Sequence, residues 1–463
     1  MRHLAWVLRV VAIAVAALVI AASAGTTRDA AAALPPGNTV AQWNKIAEDT
    51  VVGSGTVATE PFIYMAYVSA AVYDAVVAIE GGFEPYGPAI DAPAGASVDA
   101  AVVEAAYRTL WAYFPPEACN PASRPDVYAF CLGVRPRLDA FYAEALAAIP
   151  PGQARTDGQA VGLQAANEII ALRSGDGRMT PIAVSTPFPT LPPGPGVWRL
   201  TPPLFGAPLV PWVGNVRPFV LQGVDQFLPD PPPSLQSEEW VEAFNQIKAY
   251  GATDSSVRTA EETTIAKFWS ANVIRQYNRV GRDLTGAGPD LLEAARLLAM
   301  INVVGADMGM SVIHAKYHYL FWRPVTAIDP SAVTADGFGP VPGYDDGNPA
   351  TAEQTGWRPL LTTPGHPEYP AAHGVDASAM AEVFSTFRGT KQIDLDIHGF
   401  DPAGPDGNLN AVRHFDRADD LRHEIIDARL WAGLHYRFSG VAGVVLGRNV
   451  AKYDLAHAFR PVD

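Results

Sequence analysis

The sequence is poor in cysteine, in charge and in basic residues. Two cysteines occur in 463 residues, Cys119 and Cys131, so at most one bridge can form within the chain. Charged residues make up only 17% and hydrophobic residues 49%. That is the reverse of a disordered chain, which is charge-rich and apolar-poor. Lys and Arg number 33 against 48 Asp and Glu, a net charge of −15. A deficit of that size argues against nucleic acid as the main partner, because phosphate contacts need clustered Lys and Arg. It leaves open a local basic pocket for a small anion. Beyond the N-terminus no stretch reaches 18 uncharged apolar residues, so the mature chain is expected to have no membrane span. No period of 20–50 residues is visible, which argues against a solenoid. No Gly-rich phosphate loop occurs. His314 and His318 have zinc-ligand spacing, but Ala315 stands where an H-E-x-x-H site needs Glu. Asp394-x-Asp396-x-His398-Gly399 opens like a calcium loop and then has Pro405 at its twelfth position instead of Glu.

What is present is apolar material for a large core, punctuated by 40 Gly and 41 Pro. Residues 1–24 read as a cleaved signal peptide: Arg2 and Arg9, the apolar run from Val10 to Ala24, and Ala22-Ser23-Ala24 as a small-x-small cleavage pattern. The expected location is therefore secreted or periplasmic. In that setting Cys119 and Cys131 are expected to pair, pinning a loop. Residues 25–37 are a flexible lead-in. Apolar residues then recur at helical spacing over 38–178, the N-terminal half, including a helix over 98–113 capped by Ser97. Residues 179–235 hold TPFPTLPPGPG, TPPLFGAPLVPW and LPDPPPSL. Proline removes backbone donors, so this connecting segment is irregular. Helical pattern resumes in 236–463, with helices expected over 261–283, from Asp290 to about Trp322, over 371–387 and over 419–435. The stretch LLAMINVVGADMGMSVIHA is apolar nearly all round, the mark of a buried central helix. Strand-like alternation is scarce. The expected fold is all-α, a large helical bundle of two packed helical halves with a Pro-rich connection.

Three segments of the C-terminal half could carry chemistry. Lys316 and Arg323 are seven apart at the end of the apolar helix, close enough to share a face. Pro324 biases Arg323 away from helical dihedrals. Cations there need an anionic partner, which nearby acids or solvent could equally supply. His366 and His373 flank a Pro-containing loop that enters a helix, and a helix N-terminus offers free N–H groups to an anion. Arg429 and His435 are six apart and do not share one face of an ideal helix. A bend, for which Gly433 is available, would bring both to one site. Asp307, inside the apolar helix, must have a partner, such as one of these cations. Glu424 and Asp427 could pair with Arg429 or face solvent.

In order, Lys-x6-Arg-Pro, P-x-x-His and Arg-x5-His resemble the signature of the superfamily that joins vanadium-dependent haloperoxidases to type 2 phosphatidic acid phosphatases. FWRPVTAI, HPEYPAAHG and GLHYRFS carry the likeness over roughly residues 260–440. The N-terminal half resembles the haloperoxidase branch more weakly. The resemblance implies a tetrahedral oxyanion, vanadate or phosphate, held by Lys316, Arg323, Arg429 and the backbone N–H of Ala372. It implies His435 as the vanadium ligand or phosphorus nucleophile, and His373 as the acid–base group. Hydrogen peroxide and a halide would be the substrates, with a small organic acceptor as a further option, and hypohalous acid the product. His366 occupies the position where the family tunes halide choice, here favouring bromide over chloride. The family writes Pro-Ser-Gly-His where this chain has Pro370-Ala371-Ala372-His373. Ala371 supplies no hydroxyl, and one hydrogen bond to a charged oxygen is worth about 1.5–3 kcal/mol. Two alternatives stay open: a secreted acid phosphatase acting through a phosphohistidine, and a non-catalytic oxyanion-binding secreted protein. A homodimer is compatible with the apolar helices.

Overall fold

The computed structural model describes residues 33–115, 125–180, 194–333, 345–399 and 411–462. The expected signal peptide and Cys119 lie outside these residues. Cys131 is disulfide-bonded.

The fold is all-α, with one small two-stranded antiparallel pair among the described residues. In the N-terminal half, α1 (Thr39–Gly53), α2 (Glu60–Glu80), α3 (Val98–Tyr113), α4 (Pro125–Leu132), α5 (Val134–Ala148) and α6 (Gln153–Leu172) follow the apolar spacing. Ser97 caps α3, its side chain accepting from the Ala100 N–H, as a Ser before an apolar-periodic run should. Gly133 separates α4 from α5, although the helical spacing runs across it. In the C-terminal half, α7 (Glu238–Tyr250), α8 (Ala260–Phe268), α9 (Val273–Thr285), α10 (Leu291–Tyr319), α11 (Pro324–Ile328), α12 (Ala372–Arg388), α13 (Ala418–Trp431) and α14 (Arg437–His457) follow. The single helix expected over 261–283 is also two. Asn272 starts the second by accepting from the Arg275 N–H.

α10 is the central helix, buried from Ala294 onward on nearly every side. Both α2 and α10 are long and apolar enough to cross a membrane, and both lie inside the helical body. One apolar core runs from Val40 on α1 to Phe459 beyond α14, joining the two halves. A buried polar ladder fixes the register of four helices. Asn44 on α1 donates to Asn278 on α9 at 2.8 Å, Asn278 to Asn302 on α10 at 2.9 Å, and Asn302 to Ser69 on α2 at 3.0 Å. Each amide has partners, so the ladder specifies alignment without leaving a costly buried orphan.

The described part of the Pro-rich segment is irregular apart from a 3₁₀ turn, Pro211–Asn215. It is partly core: Trp198 is fully buried and Phe219 is nearly so. Asp307 of α10 explains how it is held. Its carboxylate accepts from the backbone N–H groups of Phe219, Val220 and Leu221 at 2.6, 2.7 and 2.9 Å. The buried acid is therefore answered by proline-flanked backbone and not by a pocket cation.

Strands β1 (Gln392–His398) and β2 (Val412–Arg417) form an antiparallel pair. The calcium-like stretch lies on β1, whose burial alternates strictly. Its Asp394 and Asp396 face His414, which lies 2.9 Å from Asp396 and 3.6 Å from Asp394. Asp394, His414 and Asp416 form an exposed group of ligand-type atoms.

Candidate oxyanion site

The site assembles where α10 ends, where the 366–371 loop enters α12 and where α13 turns into α14. α10 stops at Tyr319, with Leu320 left-handed at its end. Lys316 and Arg323 thus do not share one helix face. Lys316 is on the last helical turn, and Arg323 is on the extended residue before Pro324. The expected effect of proline on Arg323 holds, and the chain reversal still brings both cations to one place.

Lys316 is fully buried. Its ammonium donates to the carbonyls of Pro367, Glu368 and Pro370 at 3.1, 2.9 and 2.5 Å. An ammonium has three donors, so Lys316 here clamps the loop and contributes positive potential. Arg323, also fully buried, spreads its guanidinium over the same loop and the next motif. Nε donates to the His366 carbonyl at 2.9 Å, Nη2 to His366 Nδ1 at 2.9 Å, and Nη1 to the Leu434 carbonyl at 3.0 Å. Nη1 also lies 3.2 Å from His435 Nε2.

Arg429 and His435 meet through a break in the helix. α13 ends at Trp431, and the N–H groups of Leu434 and His435 both return to the Arg429 carbonyl, at 3.2 and 3.3 Å. Gly433 makes the turn at φ +75°, and a Cβ there would sit 2.4 Å from the Gly251 carbonyl oxygen. Only glycine tolerates both the dihedral and the approach. Arg429 donates to the Trp269 carbonyl at 3.0 Å, and its buried Nε has no partner. Neither acid considered for it is there: Asp427 pairs with Arg437 at 2.6 Å, and Glu424 takes Trp269 Nε1 at 2.8 Å and Arg413 at 2.6 Å.

His373 lies in the first turn of α12, after Ala371 as N-cap and Ala372 as first helical residue. The cap has no side-chain bond, and the Gly374 N–H already returns to the Ala371 carbonyl at 3.0 Å, so the N–H groups of Ala372 and His373 are the ones left to suit an anion. The loop before it is held from two sides. The Glu368 N–H donates to the Phe321 carbonyl at 2.9 Å, and the Ala371 N–H to the Ser439 carbonyl at 3.1 Å. α14 approaches closely here because Gly443 lacks a side chain; a Cβ would meet the Ala371 carbonyl oxygen at 2.5 Å.

The electrostatics are those of an anion site. Burial pushes Lys316 well below its ordinary range, with Arg323 as the next contributor. Burial lowers Arg323 to about 10 and Arg429 to about 9. His366, His373 and His435 are held well below the usual histidine range, first by burial and then by these cations. Burial and the cations both favour the neutral form of all three imidazoles. Two carboxyls flank the cations, Glu368 and Asp376, each raised by burial to about 7. Among the described residues none of the three cations makes an ion pair with a carboxylate. Buried cations without paired carboxylates are costly unless an anion joins them, and the unpartnered Arg429 Nε is a donor available to one. Vanadate and phosphate both fit this donor set.

Glu368 was not singled out from the sequence. Its Oε1 lies 2.9 Å from His435 Nδ1 and accepts the Tyr436 N–H at 3.1 Å. The available signal was faint: Glu368 is the only Asp, Glu, Lys or Arg between Arg358 and Asp376. Of the other histidines considered, His314 Nδ1 lies 3.3 Å from the Gly214 carbonyl and its ring stacks on His318. Among the described residues neither belongs to a metal-type cluster.

The comparisons with known proteins bear on the family and the fold. Residues 296–463, which carry all three motifs, match the family model described as the VCPO second helical-bundle domain. The chain is 25% identical over 291 residues to the vanadium chloroperoxidase of Curvularia inaequalis, a match covering 50% of this chain and 46% of that protein. The chain thus spans about half the length of that curated relative. Its fold is similar to a bacterial vanadium-dependent iodoperoxidase, with TM-score 0.69 and 20% identity over 93% of this chain and 98% of that one. It is also similar to a holo-type bacterial vanadium-dependent chloroperoxidase, with TM-score 0.60 and 14% identity over 92% and 97%. Three ordered motifs folded into one buried cationic site, within the residues that match the family model and on a helical architecture shared with these structures, support the superfamily of the vanadium-dependent haloperoxidases and type 2 phosphatidic acid phosphatases.

Proposed function

We propose that this chain is an exported vanadium-dependent haloperoxidase that uses hydrogen peroxide to oxidise a halide to hypohalous acid, with release of water. The observation that carries this reading is the set of three buried cations without carboxylate ion pairs, converging on a neutral histidine whose Nε2 carries a lone pair. Arg323 Nη1 can only donate, so Nε2 of His435, 3.2 Å away, is the acceptor. That lone pair is what a vanadium centre would take. Arg323, Arg429 and the first N–H groups of α12 would hold the oxyanion, and Lys316 would add positive potential while keeping the loop in place. Bound vanadate supplies a Lewis-acid centre that activates peroxide without changing oxidation state. His373 is neutral, so its imidazole can accept a proton from peroxide. The cations that hold its pKa down would be offset by a bound anion, moving it toward the range useful for proton transfer.

Bromide is the preferred halide in this reading, from His366, whose ring is fixed against Arg323. Export is supported by the N-terminal pattern and by the disulfide at Cys131. A phosphatase is the second reading, favoured by the carboxylate behind His435, because the same Nε2 could attack phosphorus.

The test uses phosphate-stripped protein with orthovanadate, hydrogen peroxide and bromide, following bromination of a dye, beside hydrolysis of p-nitrophenyl phosphate. Vanadate-dependent bromination is expected. His373→Ala should abolish turnover while keeping vanadate binding, and His435→Ala should lose both. Full turnover by His373→Ala would remove it from the proton-transfer role, and phosphate release without bromination would favour the second reading.

A further inference from the structure

We propose that Glu368 is a positioning residue that fixes His435 in the tautomer with the proton on Nδ1, leaving Nε2 free for the central atom of the oxyanion. The inference rests on the oxyanion reading above and adds a residue to it. The hydrogen-bond pattern around His435 admits one protonation arrangement. Arg323 Nη1–H approaches Nε2 at 3.2 Å and has no lone pair to offer. The ring proton is therefore on Nδ1, where Glu368 Oε1 accepts it at 2.9 Å. The same oxygen accepts the Tyr436 N–H at 3.1 Å, so it ties both the ring and the backbone beside it. Glu368 is fully buried, and His435 nearly so.

Arg323 alone cannot keep this arrangement during function. A central atom held at Nε2 would take the lone pair that Arg323 now contacts. From then on the Nδ1 side is the one that sets ring orientation and proton placement. A carboxylate at that nitrogen also makes the imidazole a stronger ligand. Glu368 has a second attachment: its carbonyl is one of the three that Lys316 holds. Its backbone is thus clamped by the first motif while its side chain reaches the third. Lys316, the 366–373 loop and His435 are coupled through this one residue.

Two variants separate positioning from simple support. Glu368→Gln fills the same space, and its amide oxygen can still accept from Nδ1. Glu368→Ala cannot. The first readout is free of turnover: ¹⁵N shifts of the histidine rings in metal-free protein. They should show Nδ1–H for His435 in the wild type and in Glu368→Gln, and loss of that signature in Glu368→Ala. The second is affinity for two probes, orthovanadate and inorganic phosphate. Orthovanadate engages Nε2, and Glu368→Ala should weaken its binding by about 10- to 100-fold. Phosphate is held by hydrogen bonds from the cations and the first N–H groups of α12, without a bond to Nε2, and removing a nearby negative group should leave its affinity unchanged or raise it. Glu368→Gln should show the same phosphate response with most of the vanadate affinity kept. Opposite responses of the two probes are what a merely structural role would not give.

An unchanged Nδ1–H signature and unchanged vanadate affinity in Glu368→Ala would overturn the proposal. So would equal weakening of both probes in Glu368→Gln. A wild-type protein that binds neither probe would instead sink the oxyanion reading, and the ring-proton assignment would still report on Glu368 by itself.

Discussion

Asp376 shows how a single carboxyl registers the charge of the whole site. It sits one turn after His373 on α12, is almost fully buried, and its Oδ1 has no partner. Burial raises its pKa from 3.8 to about 7, while Lys316 and Arg429 act in the opposite sense. A carboxyl whose folded pKa lies above its unfolded value keeps its proton in the folded state when the unfolded chain has lost it. Its favourable contribution is therefore complete below about pH 4 and is lost as pH rises toward 7. Asparagine does not ionise. In anion-free buffer, Asp376→Asn should melt at the same temperature as the wild type near pH 4 and above it at pH 8. A variant less stable than the wild type at pH 8 would show that the cations hold Asp376 charged. Little of this is legible in the sequence. The cations and histidines were found because they lie in spaced motifs ending at prolines and glycines. Glu368 and Asp376 act through tertiary proximity: one carboxyl in a loop and one on a helix carry no spacing that points to a partner 67 residues away, as His435 is from Glu368.

Among the helices, breaks matter more for the site than spans do. Apolar periodicity located nearly every helix but ran through three interruptions. Those at Gly133 and Trp269–Asn272 pass unnoticed because the apolar pattern continues across them. The one at Gly433 was legible, because Arg429 and His435 could not reach one point on an unbroken helix. The hairpin β1–β2 was missed because two short strands with half-buried alternation resemble polar loop in sequence. The Gly433 break has a direct consequence. Alanine there would need a left-handed backbone, and its Cβ would press on the Gly251 carbonyl and on Pro359. The turn would have to shift, moving His435 relative to Arg429. Gly433→Ala should therefore lower thermal stability, as a strained non-glycine residue costs about 1–3 kcal/mol. It should also weaken vanadate binding more than 10-fold, read by equilibrium dialysis. An intact affinity at reduced stability would show that His435 is placed from α14 and not from this turn.

For the molecule as a whole, three buried cations carry a desolvation cost that a bound anion would offset. A chain of net charge −15 buries Lys316, Arg323 and Arg429 together, and each is held below its ordinary pKa by burial. Folding without an anion therefore bears the desolvation of three clustered cations, and any oxyanion bound only by the folded state stabilises it by mass action. At a hundred times its Kd that gain is about 2.7 kcal/mol. Arg429 is the cation to remove. Among the described residues its buried Nε is unpartnered and its side chain donates to the Trp269 carbonyl, so a residue of similar length without charge leaves little else unsatisfied. Replacing buried charge by well-packed apolar groups is often neutral or stabilising. Arg429→Met should thus melt at or above the wild-type temperature in anion-free buffer. At a vanadate concentration a hundred times the wild-type Kd, the order should reverse. A variant whose Kd has risen a hundredfold or more gains under about 0.5 kcal/mol there. The crossing of the two stability curves, measured by calorimetry with and without vanadate, is the expected result. A variant less stable in both conditions would show that Arg429 supports the fold through packing and its Trp269 bond. Equal anion stabilisation in both proteins would place the oxyanion away from Arg429.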